Sequence, residues 1–360
     1  MLWEARLSWK AKATKPKAEV GTRKSVVNGR YDGFIEVGRA FAGAVCESLR
    51  KWHDLPGDTI VFAYDTGALE VFEWCRKRDI RCVLDQMDPS RVEMELVREE
   101  EKRWPGWMTH STQIPEEYFR RREREWALAD RIVVNSEWSR KGLVKQGVPP
   151  EKLVVIPLAF EENAEKLKAE NKNGFQISDF SISASSPLRV LFLSQVILRK
   201  GIQYLMEAAR KLEKENIHFD VVGPIGISKE AVASAPGNTI FHGPAVRDEA
   251  GAWYRKADLF VLPTLSDGFA ITQLEAMSHG LPVITTPCCG EVVSDGVDGF
   301  IVPPRDAEVL AKTFGRYLAE PGLLTSQRQA ALVKAQQFTL ERLAANLLRM
   351  EVELTKCNHR

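Results

Sequence analysis

Residues 257–304, ADLFVLPTLSDGFAITQLEAMSHGLPVITTPCCGEVVSDGVDGFIVPP, decide how the chain folds. The stretch opens on an apolar run, Leu259 to Leu262, of strand length and bounded by Pro263. A turn follows at Ser266-Asp267-Gly268, then a helical pattern with Ile271, Leu274 and Met277 on one side. Gly280 stops that helix, and Leu281 to Thr285 reads as a second buried strand. A strand feeding a glycine turn and a helix start presents unpaired backbone N–H groups to an anion above the turn. Two acids, Asp267 and Glu275, bracket the turn with seven residues between them. Glu275 is expected about one helical turn inside, within reach of a hydroxyl-bearing group whose phosphates sit over the turn. The combination suits a nucleoside diphosphate.

The same residues resemble the donor-site signature of family 4 (group 1) glycosyltransferases of the GT-B fold, usually written as two glutamates separated by seven residues. The companion tail is present as Leu281 to Ile284 and as DGVDGFIVPPRD, Asp295 to Asp306. The departure is Asp267, one methylene shorter than the usual glutamate. The resemblance implies an α/β chain of two Rossmann-like domains facing a central cleft. It covers about residues 55–355 and is strongest over 189–310.

Size and charge agree with that class. A chain of 360 residues suggests two domains, and 44% hydrophobic with 28% charged residues is ordinary for a globular protein. A net charge of +1 argues against a dedicated nucleic-acid binder. The six cysteines (46, 75, 82, 288, 289 and 357) form no CxxC pair and read as reduced thiols of a cytosolic protein. No run of about 18 apolar residues and no secretory signal are visible, so a cytoplasmic protein is expected.

Residues 1–30 carry eight Lys or Arg against two Glu. They read either as a solvated terminus or as a patch for anionic lipid headgroups on the inner face of a membrane. A helix is expected over 33–52, a strand over 58–65, a helix over 66–77 and a strand over 80–84, the alternation of a parallel sheet. Sites in such folds lie beyond the carboxyl ends of the strands, which singles out Asp65, Asp85, Gln86 and Asp88. Each of these acids serves equally well as a turn or cap residue. Val92 to Trp126 is densely charged and reads mostly as solvated helical surface, with Trp104, Trp107 and Trp126 packed against the domain or, as the alternative, stacked on an acceptor sugar. Residues 131–134, 137–146 and 153–156 give another strand, helix and strand.

The boundaries expected are an acceptor-side domain over 1–160, a polar linker over 161–187, a donor domain over 188–338 and a crossover helix over 339–360. GT-B chains open on a strand and a glycine-rich loop, whereas 58 residues precede Thr59 here and show neither. The first domain is therefore expected to be incomplete, with exposed sheet edge or apolar helix surface that favours self-association. After strand 189–193, the loop Ser194-Gln-Val-Ile-Leu-Arg-Lys-Gly201 matches the family's pyrophosphate loop. Lys200 stands in its family place, Ser194 and Gln195 replace the usual glycine and arginine, and Arg199 offers the missing charge from another angle.

The resemblance implies a retaining, metal-independent transfer of a sugar from a nucleotide-diphosphate donor to an acceptor hydroxyl, with no cofactor and no DxD triplet to hold a metal. Lys200, Arg199 and the backbone over Gly268, Phe269, Ala270 and Ile271 would meet the diphosphate. Glu275 would hold the ribose and Asp267 a donor-sugar hydroxyl or the anomeric region. The nucleobase would lie along Gly223 and the 242–246 loop with Gly243. Asp85 takes the acceptor-side role often held by histidine, or Gln86 or Asp88 if the alignment slips. The acceptor class is a saccharide or a lipid-linked sugar. Two other classes remain open: a nucleotide-sugar-binding protein without turnover, and a GT-B-like nucleotide-sugar epimerase.

Overall fold

The computed structural model describes residues 30–51, 55–109, 113–160, 186–246 and 249–356. The basic segment 1–29 and most of the expected linker lie outside the described residues. The first domain runs α1 (Arg30–Leu49), β1 (Ile60–Tyr64), α2 (Leu69–Arg76), β2 (Arg81–Gln86), α3 (Arg91–Arg103), α4 (Glu116–Leu128), β3 (Arg131–Val134), α5 (Glu137–Lys145) and β4 (Leu153–Val155). Its strands pair in parallel in the order β1-β2-β3-β4. Among the described residues β1 is an edge strand. Phe62 and Tyr64 on it and Val37 and Phe41 on α1 are exposed, and among the described residues no strand precedes it.

The second domain holds β5 (Leu188–Leu193), α6 (Ile202–Lys211), β6 (Ile217–Val222), α7 (Lys229–Ala233), β7 (Thr239–Gly243), α8 (Ala250–Lys256) and β8 (Leu259–Leu262). It continues through α9 (Thr272–Ser278), β9 (Val283–Thr285), β10 (Gly299–Ile301), α10 (Ala307–Ala319) and α11 (Pro321–Ala335). The sheet is parallel throughout, in the order β10-β9-β8-β5-β6-β7. All four residues of β8 and all three of β9 are buried. Strands covered by helices on both faces need side chains that leave water in both directions, which is why these segments read as unbroken apolar runs. The chain leaves β5 towards β6 on one side and returns to β8 on the other, so the strand order reverses between β5 and β8. Ligand crevices of open α/β sheets form outside the carboxyl ends at such a point.

A last helix, α12 (Leu340–Lys356), returns to the first domain, where Met350 and Leu354 pack on Val83, Val133 and Ile156.

The charged stretch from 92 to 126 is mostly exposed or partly buried, but four of its charged residues leave that surface. Glu100, Arg121, Arg122 and Glu125 are all buried. Arg121 binds Glu70 at 2.5 and 2.7 Å and donates to the Thr66 carbonyl at 2.6 Å. Glu125 accepts the backbone N–H groups of Thr66 (2.8 Å), Ala68 (3.2 Å) and Leu69 (3.1 Å). The loop between β1 and α2 has backbone donors with no ladder or helical partner, and a buried carboxylate satisfies them. Trp126 is buried as expected, its Nε1 donating to Gln86 Oε1 at 2.7 Å. Trp104 and Trp107, in contrast, pack against the second domain's core.

Candidate functional site

The loops that follow β5 and β8, the two strands flanking the reversal, meet each other. A short 3-10 turn, Leu198–Lys200, ends at Gly201, whose φ of +78° is left-handed. A methyl at Gly201 would collide with the Pro263 carbonyl oxygen, so this glycine permits both the turn and the approach of the two loops. Lys200 is buried, and its Nζ pairs with Asp267 Oδ2. The Leu265 N–H donates to the Arg199 carbonyl at 2.8 Å, joining the loops through backbone as well.

Asp267 does more than carry charge. Its Oδ1 accepts from the N–H groups of Ala270 (3.1 Å) and Phe269 (3.4 Å), so the turn donors that the sequence leaves open are capped by the acid preceding them. Burial alone would raise the Asp267 carboxyl, but Lys200 and Arg199 beside it bring it below the ordinary aspartate range. Ala270 sits at a φ of +62°, in the left-handed region that non-glycine residues rarely occupy.

Arg199 faces elsewhere. Its NH1 donates to the Ser266 carbonyl at 2.9 Å and to Glu93 Oε2, on α3 of the first domain, at 3.3 Å. Ser266 Oγ donates to that same carboxylate at 2.9 Å and accepts from Trp138 Nε1, another first-domain group, at 3.1 Å. Gly268 lies so close to the Met87 carbonyl that a methyl there would strike it. The glycine is therefore needed for domain approach, and its φ is not positive. Gln195 is exposed.

Glu275 is half-buried on α9, and Tyr254 Oη donates to its Oε2 at 2.8 Å. Tyr254 is buried and stacks on His279, with ring centroids 5.1 Å apart. Ile271 stands directly before α9 and is partly buried. The Gly243 carbonyl accepts the Gly223 N–H at 2.8 Å, tying together the loops after β6 and β7.

On the first-domain side, three of the four acceptor candidates form one network. Arg122 NH2 reaches Asp65 Oδ2 at 2.6 Å and Asp88 Oδ1 at 2.7 Å. Gln86 Nε2 donates to Asp65 Oδ2 and to the Asp88 carbonyl, each at 3.0 Å. Asp85 stands apart, its Oδ1 buried and without a hydrogen-bond partner among the described residues. Burial, then the nearby charge of Asp65, push its carboxyl up to about 6. A raised aspartate pKa means that the folded state binds the extra proton, so stability falls as pH rises from the unfolded value towards about 6. Asp85→Asn is therefore expected to unfold at a higher temperature than the parent at pH 8 and at the same temperature at pH 4. A lower midpoint at pH 8 would show that the carboxylate is satisfied in solution.

The sequence brings Lys200, Arg199, Asp267 and Gly268 to one place, and the structure adds Glu93, Ser266 and Trp138. Glu93 and Glu100 are seven residues apart, the spacing of one helix face, but the surrounding run of charges conceals it.

Residues 187–320 match the family described as glycosyl transferases group 1. D-inositol 3-phosphate glycosyltransferase of Streptomyces bingchenggensis is 27% identical over 236 residues, 60% of this chain and 51% of that one. The chain spans about half the length of that curated relative. Sucrose-phosphate synthase from Thermosynechococcus elongatus superposes with a TM-score of 0.64 at 19% identity, covering 90% of this chain and 79% of that one. Anabaena HepE, solved in complex with UDP, gives a TM-score of 0.61 at 15% identity, covering 88% and 82%. The match to the group 1 glycosyl transferases is confined to residues 187–320, while the superpositions over 88–90% of the chain show a GT-B fold.

Proposed function

We propose that the protein transfers a sugar, with retention and without a metal, from a nucleotide-diphosphate sugar to the hydroxyl of a saccharide or lipid-linked acceptor. The observation that carries the reading is the buried Lys200–Asp267 pair at the strand-order reversal, where the loops after β5 and β8 converge. Lys200 would meet the leaving diphosphate, where preorganised charge acts on the transition state. Asp267 would face the sugar, and Glu275, held by Tyr254, the ribose. Asp85, with a carboxyl near 6, suits proton exchange with an acceptor hydroxyl. Retention and metal independence rest on the family resemblance alone. Among the described residues no helix is long and apolar enough to cross a membrane.

Because HepE was solved with UDP, uridine donors come first in the test, followed by GDP-, ADP- and CDP-sugars. One nucleotide class should raise the unfolding midpoint, and its sugar should be released or transferred. A panel with neither effect overturns the reading. A raised midpoint without release would favour binding without turnover, a reading supported by Gln195 and by the engagement of both cations with carboxylates. Glu275→Gln should weaken nucleotide binding about ten- to a hundredfold, the loss of charge-assisted bonds worth about 1.5–3 kcal/mol. Equal dissociation constants by calorimetry would remove Glu275 from the donor site.

A further inference from the structure

Both cations of the loop after β5 are paired with carboxylates, and these are of different origin. Lys200 is met by Asp267 of its own domain, but Arg199 is met by Glu93, which α3 carries across from the first domain. The Glu93 carboxylate is held by Arg199 and by Ser266 Oγ. Burial raises its pKa in spite of Arg199, with the like charges of Asp88 and Asp267 adding to the rise. A carboxylate in such a place is costly unless paired, so its stability there depends on the guanidinium.

The rest of α3 explains what keeps it there. Two turns along, Glu100 is wholly buried and accepts from Tyr204 Oη at 2.7 Å and Gln203 Nε2 at 2.9 Å. Arg305 lies 2.7 Å from Glu100 and 2.8 Å from Glu99, and reaches them from a left-handed φ of +66°. Beyond the helix, the Ser228 N–H donates to the Trp107 carbonyl at 2.6 Å. The carboxyl end of α3 is thus fastened to the second domain, and this fastening delivers Glu93 to Arg199.

We infer that Glu93 is a built-in competitor for the donor's diphosphate, an inference that rests on the donor-site reading proposed above. A diphosphate seeking Arg199 meets a like charge already on that guanidinium. Binding therefore exchanges one anion for another, and Glu93 must leave Arg199 and Ser266 as the phosphate arrives. Affinity for the donor is then set partly by a first-domain residue that the phosphate replaces. The same exchange loosens the domain contact at Ser266 whenever the site fills.

Glu93→Gln keeps the shape and removes the charge. By calorimetry it should bind UDP or inorganic pyrophosphate about tenfold more tightly than the parent, because the phosphate no longer meets a like charge on the guanidinium. Glu93→Asp retains the charge but draws it back from Arg199, and should lie between the two; it also serves if the glutamine variant misfolds by circular dichroism. Hydrogen exchange by mass spectrometry, without nucleotide, should rise over residues 198–204 and 264–269 in Glu93→Gln. Folded variants with parental or weaker affinity overturn the competitor, as does unchanged exchange in those segments. If neither parent nor variants bind any nucleoside diphosphate, the donor-site reading fails and takes the competitor with it. Binding that does not respond to Glu93 sinks the competitor alone.

Discussion

Lys200→Ala is expected to lower kcat by about 10²–10³-fold, the usual cost of removing one preorganised group facing transition-state charge, while the far-ultraviolet circular dichroism stays that of the parent. The size of the effect follows from how little else stands in the same place. Gln195 is exposed, and it is neutral where the family resemblance implies an arginine. Arg199 is drawn to Glu93 and the Ser266 carbonyl, so its charge is partly spent across the domain boundary. Lys200 alone among the cations of this loop forms its ion pair within the second domain, against Asp267. The fold should survive because Asp267 keeps other partners when the lysine is lost. Its Oδ1 still accepts from Phe269 and Ala270, and Arg199 still lowers its pKa. Lys200→Arg should restore little, since a planar guanidinium does not replace a compact ammonium in a buried slot. Steady-state rates with the donor found by the nucleotide screen decide the matter. A folded alanine variant turning over at the parental rate would place the chemistry elsewhere.

The second domain was the more legible half because its signals are local. Leu259 to Leu262 and Val283 to Thr285 announce strands by being apolar on both faces, and the sheet needs them so. The Asp267–Glu275 spacing and the lysine before Gly201 are read from neighbouring residues, and they fall on loops that the sheet topology brings together. What the pattern did not disclose is which polar groups are already satisfied. The turn after β8 reads as a row of open N–H groups, yet Asp267 folds back to take two of them.

The first domain was less legible because its charges are resolved over long distances in sequence. Glu93 finds Arg199 across 106 residues, and Arg122 finds Asp65 across 57. Local composition makes the stretch from 92 to 126 look like solvated helix, and nothing within it tells which face is buried. The spacing of Glu93 and Glu100 on one helix face was available, but a spacing becomes informative only once its partners are known. Register adds to the difficulty at the end of β2. Tyr64 pairs with Asp85, and Gln86 pairs with Val134. Neighbouring residues thus point to opposite faces, so a one-residue slip exchanges a buried network member for the solitary Asp85.

The largest stability effect expected in the chain belongs to that network. Arg122 is 2% exposed and holds Asp65 and Asp88 together. It also lies over the Tyr118 ring, its guanidinium carbon 5.4 Å from the centroid. Burial pushes the Asp65 carboxyl up to about 6, with Arg122 the strongest influence holding it down. Arg122→Met keeps the buried stem but leaves that carboxylate without its counter-charge, which should cost about 2–3 kcal/mol at pH 8. The sign of the pH dependence follows from linkage. Without the arginine the folded pKa of Asp65 climbs further above its unfolded value, so the native state prefers the protonated acid and loses stability as pH rises past 4. The parent shares this decline up to about pH 6, so the deficit relative to it should be small at pH 4, grow from about pH 6 and level off only above the new folded pKa. Adding Asp65→Asn to Arg122→Met removes the stranded charge and should return part of the loss, most visibly at pH 8. Urea unfolding of the three proteins at pH 4, 6 and 8 reads all of this. A deficit below about 1 kcal/mol at pH 8, the range of exposed ion pairs, would show that water reaches Asp65 and that the network is a surface feature. A full deficit with no rescue by Asp65→Asn would assign the cost to lost packing around Tyr118 rather than to charge.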